Sequence, residues 1–256
     1  MKPAFGYYGG KQFLAKHIVP MIPKHRLYVE PFCGGAALFF AKPKSEIEVL
    51  NDELEVIVNF FRVLRNTPDD LIRLLQVTPY SRVEYEDSVL VCENDSEIER
   101  ARKFFVNIVQ SFNHKINGGW SYSRTNVSVG LWKSAMNQLY QCADRLTDAI
   151  LEHKDALDVI KIFDSPDTFF YLDPPYPNTD QGHYGGYTEA DFYNLIDLLT
   201  SIKGKFILSN YKFNTPFEFV SHNVVTSATK STEIRSNLRT EYLYFNFKAR
   251  KQMNLF

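Results

Sequence analysis

Cysteine is scarce in this chain. Cys33, Cys92 and Cys142 are odd in number and widely spaced, and neither they nor the six histidines stand at ligand spacing. That excludes a disulfide framework and predicts no structural metal; a reduced, cytoplasmic setting fits best. No apolar run approaches the ~20 residues of a membrane span, and the opening Met1-Lys2-Pro3-Ala4-Phe5 carries no secretory pattern. The expectation is a protein without a membrane partner. Gly6-Tyr7-Tyr8-Gly9-Gly10-Lys11 is not a Walker loop, which would need glycine at Phe5 and Ser or Thr at Gln12. Gly34-Gly35 lacks the spacing G-x-G-x-x-G, which disfavours a dinucleotide-dependent dehydrogenase. Acidic residues are missing from Met1 to Val29 and again from Ala101 to Ala143, while carboxylates crowd between Glu46 and Glu99. A net charge of −1 therefore does not exclude a polyanion partner, because the basic residues are segregated.

What is present has the layout of an α/β domain. A chain of 256 residues with 45% hydrophobic residues suits one such domain with an insertion. Gln12 to Ile22 carry a helical apolar stripe. Leu27-Tyr28-Val29 reads as a strand, and Glu30-Pro31-Phe32-Cys33-Gly34-Gly35 as a glycine turn before a helix of small residues. Ile47 to Leu50 make a second strand that ends at Asn51-Asp52. An acid there, 17 residues past Gly35, is placed to accept from both ribose hydroxyls of an adenosine. It is also placed to cap the next helix, Glu53 to Leu64. Thr67 to Asn113 reads as mostly helical, and Leu131 to Leu151 as one helix. Thr188 opens a capped helix to Leu199. Lys205 to Tyr211 form a strand, with Val224-Val225-Thr226 and Tyr242 to Phe247 as a closing pair. Lys230, Arg235 and Arg239 fall on the loop between that pair as candidate phosphate contacts.

The chemistry concentrates in Phe169-Phe170-Tyr171-Leu172-Asp173-Pro174-Pro175-Tyr176. An apolar run bounded by two prolines is a buried strand that must stop there. An exocyclic amine on an aromatic ring is a poor nucleophile because its lone pair is delocalised. Two acceptors for its hydrogens turn it toward a tetrahedral geometry. Asp173 supplies one, and the carbonyl of Pro174, held by the fixed proline φ, supplies the other. Tyr176 offers a flat face for a base.

Asp173-Pro174-Pro175-Tyr176 resembles the catalytic motif of amino-group DNA methyltransferases. Taken with Gly9-Gly10-Lys11, Glu30-Pro31-Phe32-x-Gly34-Gly35 and Asn51-Asp52 in that order, the chain resembles the Dam-like family of adenine-specific DNA methyltransferases over about residues 5–65 and 165–250. The resemblance implies S-adenosylmethionine as cofactor, contacted by Tyr7, Lys11, Phe32, Gly34, Asp52 and Asp173. It also implies double-stranded DNA as partner and leaves room for a companion restriction enzyme. Ala36 stands where many members carry a third glycine. The fold implied is a Rossmann-like class I methyltransferase sheet, mostly parallel with helices on both faces. Its catalytic domain would comprise residues 1–60 and 151–256, interrupted by an α-rich target-recognition insert over 61–150.

Within that insert, Asn113 to Arg124 alternate aromatic with polar residues around Asn117-Gly118-Gly119, a turn signal that predicts a hairpin or ordered loop. Lys115, Asn117, Trp120, Tyr122 and Arg124 are its candidate DNA contacts, being the amide, aromatic and basic groups that base edges and phosphates require. The Asn-Gly-x-x-Arg hairpin of the GATC-reading members is absent, so their recognition sequence is not carried over. RNA adenine methylation and a catalytically silent DNA-binding partner subunit are the alternatives. A protein-glutamine methyltransferase would more often carry Asn at position 173.

Overall fold

The computed structural model describes residues 1–89, 94–177, 186–226 and 237–248. Cys92, Lys230 and Arg235 lie outside them. The strands are β1 Leu27–Glu30, β2 Ile47–Asn51, β3 Ala149–Glu152, β4 Thr168–Leu172, β5 Lys205–Asn210, β6 Glu218–Thr226 and β7 Asn237–Phe245. They form one sheet in the order β3-β2-β1-β4-β5-β7-β6. The first five run parallel, and β7 joins β5 and β6 antiparallel. The helices are α1 Ala15–Ile18, α2 Ala37–Ala41, α3 Glu55–Asn66, α4 Pro68–Val77, α5 Arg82–Val89, α6 Glu97–Gln110, α7 Val127–Met136, α8 Leu139–Leu146, α9 Ala156–Phe163 and α10 Glu189–Ser201.

A parallel strand covered on both faces reads as an unbroken apolar run, and every residue of β4 is buried. Alternation then divides the core. Tyr28, Leu50, Phe169 and Tyr171 point to one face, where they share a cluster with α3, α6 and α8 through Phe60, Phe61, Phe104, Phe105 and Leu146. Val29, Val49, Phe170 and Leu172 point to the other, against Val159 and Ile160 of α9 and Phe192 and Leu195 of α10. The result is a three-layer α/β/α domain. Chain order reverses between β1 and β4, and the crevice beyond their carboxyl ends is where such sheets hold ligands.

Several sequence expectations need correction. The helix from Leu131 to Leu151 is two helices, α7 and α8, followed by the strand β3. β3 is only four residues long, and its short apolar run Ala149-Ile150-Leu151 follows α8 closely enough to read as the end of that helix. α9, between β3 and β4, was not anticipated either. The stripe from Gln12 to Ile22 yields only α1 and a 3-10 turn over Val19–Met21, with Pro20 at the start of that turn and Phe13 in solvent. The closing strands are longer than expected, and Arg239 belongs to β7, in register with Val224, rather than to a loop. The capped helix at Thr188 is as expected. The Thr188 hydroxyl accepts from Asp191 N, and the Asp191 carboxylate accepts from Thr188 N.

Candidate active site

The switch point gathers three distant segments. β4 ends at Leu172, which leaves Asp173 at the crevice with its side chain 19% exposed. Lys11, from the N-terminal glycine segment, reaches Asp173 Oδ1 at 2.7 Å. The Tyr176 hydroxyl lies 3.4 Å from the same oxygen, and the Lys11 ammonium stands 5.0 Å from the Tyr176 ring centre. Among the described residues every hydrogen bond to Asp173 falls on Oδ1, so Oδ2 remains for a ligand. Burial pushes the Asp173 carboxyl above the usual range, and the Lys11 ammonium opposes it. Burial alone would lower Lys11, but the carboxylates of Asp173 and Glu241 outweigh it and hold the lysine protonated. At the tip of β1, burial raises Glu30 to about 7; its carboxylate accepts from the Tyr28 hydroxyl at 2.6 Å and from Phe39 N at 2.7 Å.

The glycine turn beyond β1 is tightly built. Gly34 has φ +46, and a Cβ there would stand 3.0 Å from the Tyr7 ring. Tyr7 thus lies across Gly34 and Gly35, with Phe5 edge-on behind it. Asp52, at the tip of β2, is buried; it accepts from Gly34 N at 2.8 Å and Leu54 N at 3.0 Å. It does not cap α3, whose cap residue is Leu54. Its carboxylate instead ties the second strand to the glycine turn. Phe32 projects to the opposite side and meets Tyr187 edge-on at 6.4 Å.

The loop over 111–121 closes through an antiparallel bridge between Ser111 and Trp120. Asn117, at φ +53, exchanges hydrogen bonds with Asn107 of α6, and Gly119 has φ +87. Trp120 stacks on Tyr122 at 5.7 Å, leans on Tyr80 at 5.8 Å and carries the Arg82 guanidinium at 4.7 Å. Tyr122 and Arg124 are exposed. Lys115 stands over the Tyr8 ring, and Tyr8 N donates to His114 O at 3.1 Å, so this loop rests on the N-terminal segment. Arg102 and Lys103, basic residues of the acid-free stretch from Ala101 to Ala143, are turned inward and paired with Glu84, Asp87, Asp95 and Glu99. The exposed basic groups of the acid-free segment are Arg124 and Lys133.

Comparison with known proteins decides the family. Residues 7–253 match the model of the D12 class N6 adenine-specific DNA methyltransferases. The chain belongs to this family. A type II methyltransferase of Lactococcus lactis subsp. cremoris, M1.LlaDCHI, is 29% identical over 213 residues, covering 75% of this chain and 72% of its own. The type II methyltransferase M.CviBI of Paramecium bursaria Chlorella virus NC1A is 24% identical over 216 residues, covering 81% and 82%. The DNA N-6-adenine-methyltransferase of Escherichia phage P1 is 27% identical over 219 residues, with 77% of this chain matching 28% of that protein. As a member of the family the protein is a methyltransferase that acts on adenine in DNA and draws on a methyl donor. Among the described residues no helix is long and apolar enough to cross a membrane.

The candidate site contains two residues that the motifs do not reveal. Glu241 of β7 accepts from the Tyr176 hydroxyl and from Ser209 Oγ of β5 at 2.6 Å, and stands 3.5 Å from Lys11. Both come together only because β7 pairs beside β5. A polar residue on an otherwise apolar strand was the one available signal: Ser209 interrupts Phe206-Ile207-Leu208, and Glu241 precedes Tyr242 to Phe245.

Proposed function

We propose that this methyltransferase takes its methyl group from S-adenosylmethionine and transfers it to the 6-amino group of an adenine swung out of duplex DNA. Tyr7, Lys11, Phe32, Gly34, Asp52 and Asp173 form the cofactor site. The fit is supported by the left-handed Gly34, where an added Cβ would stand 3.0 Å from the Tyr7 ring, and by the Asp52 carboxylate at the tip of β2. When bound, the cofactor supplies an electrophilic methyl on a sulfonium centre. Asp173 Oδ2 and the Pro174 carbonyl accept the two amine hydrogens and turn the lone pair out of the ring plane, while Tyr176 gives the base a face to stack on. Rate enhancement then comes from orientation and preorganised acceptors. Extruding the base costs a few kcal/mol, offset by contacts in the pocket.

Residues 61–150 act as the recognition insert on a catalytic domain made of residues 1–60 and 151–256. Lys115, Trp120, Tyr122 and Arg124 meet the DNA, and Asn117 sets the turn that presents them. The protein works in the cytoplasm, and a restriction enzyme as companion is a partner to search for. The observation that carries the reading is the Asp173 carboxylate at the switch point, held on one oxygen and available on the other. Sequencing DNA from cells that express the protein, read for N6-methyladenine, is the test. A signal at one short motif is expected, erased by Asp173→Ala in a protein that still folds. An unmodified genome would direct attention to RNA.

A further inference from the structure

Glu241 belongs to no motif, yet it stands inside the catalytic cluster with about a tenth of its side chain exposed. Its Oε1 accepts from Tyr176 and Ser209 and lies near the Lys11 ammonium. That ammonium is 2.7 Å from Asp173 Oδ1, and the same Tyr176 hydroxyl reaches that oxygen at 3.4 Å. Two carboxylates therefore share one ammonium and one phenol. Each donor that Asp173 keeps to itself weakens it as an acceptor, and each one drawn away strengthens it.

Resting on the reading of Asp173 as the acceptor for the adenine amine, we infer that Glu241 is a positioning residue for methyl transfer. It draws the Lys11 ammonium and the Tyr176 hydroxyl partly off Asp173, and so keeps Asp173 a strong acceptor. The charged and titratable groups that face Asp173 are Lys11 from the N-terminal segment, Glu241 from β7, Glu30 from β1, Tyr171 from β4 and Tyr176 from its own loop. After burial, which raises Asp173, and Lys11, which lowers it, the negative charge of Glu241 raises it further, while the Tyr176 hydroxyl lowers it.

The signs yield a test that packing alone would fail. Glu241→Gln keeps acceptor atoms for Tyr176 and Ser209 but removes the charge. Asp173 then becomes easier to ionise and weaker as an acceptor. Tyr176→Phe keeps the ring face but removes a donor, so Asp173 becomes harder to ionise. Single-turnover methylation of unmethylated plasmid DNA with tritiated S-adenosylmethionine, followed against pH, reads both. For Glu241→Gln the acidic limb is expected to move to lower pH and the plateau rate to fall by about tenfold or more. For Tyr176→Phe the limb is expected to move to higher pH. An unshifted limb in Glu241→Gln, whatever its plateau, overturns the inference. So does loss of the fold in that near-isosteric variant, because the inference gives Glu241 no part in holding the domain together. Asp173→Ala, which removes the acceptor altogether, separates the two readings. If it stays active, the assignment of Asp173 itself fails; if it is dead while Glu241→Gln matches the wild type, only the role of Glu241 falls.

Discussion

Ala36 shows how a single backbone angle bears on the whole site. It caps α2 at φ +51, in the left-handed region where an L-residue with a Cβ is strained. The strain is tolerated because the turn is over-determined: Ala36 N donates to Cys33 O at 2.6 Å, and Gly34 N is held by Asp52. Ala36→Gly should relieve about 1 kcal/mol and raise the unfolding midpoint by roughly 2–4 °C, read by calorimetry. An unchanged midpoint would mean that the strain is absorbed elsewhere. At this scale much can be read from sequence. Asp173 is marked by the prolines that end its strand, and Gly34 by its place after a strand. Glu241 carries no such mark, because its role depends on a pairing of β7 with β5 that local pattern does not encode.

At the scale of elements, the loop over 111–121 and its supporting helices separate what a charge count joins. Arg102 and Lys103 lie in a stretch of sequence without acids, yet α6 turns them toward carboxylates of α5 and of its own first turn. They hold α5 and α6 together. The surface proposed for nucleic acid is narrower: the stack of Tyr80, Trp120 and Tyr122 with Arg82 over it, and Arg124 beyond. Trp120→Ala or Arg124→Ala should weaken DNA binding by about tenfold and leave cofactor affinity within about twofold, as measured by filter binding and titration calorimetry. Equal loss of both would remove the loop from recognition. The turn at Asn117-Gly118-Gly119 was legible in advance. The anchoring of the loop on Tyr8 was not, since it joins segments that meet only in the folded protein.

Across the whole molecule, helices α3, α4, α6 and α8 share one core with the sheet, and a buried ionic knot fastens them. Glu48 of β2 pairs with Lys42 and with Arg145 of α8, whose guanidinium also lies 3.8 Å from the centre of the Phe39 ring. Lys42 and Glu48 are almost wholly inaccessible. Removing the shared carboxylate strands two cations, so Glu48→Ala should cost roughly 3–5 kcal/mol of stability in urea unfolding. Arg145→Ala, which leaves the Lys42–Glu48 pair, should cost less. The mostly parallel sheet and its layers could be read from sequence because its central strands are apolar runs ending in breakers. β3 escaped because its run of three apolar residues directly follows α8 with no breaker between them, and so reads as more of the helix.

The bond between Lys11 and Asp173 spans 162 residues, and this has a consequence for biosynthesis. A ribosome adding roughly 5–20 residues per second releases the lysine about ten to thirty seconds before its carboxylate partner. β1 likewise waits for β4, and β5 for β7. The nascent chain therefore remains inert toward DNA until β7 has been made and has paired beside β5.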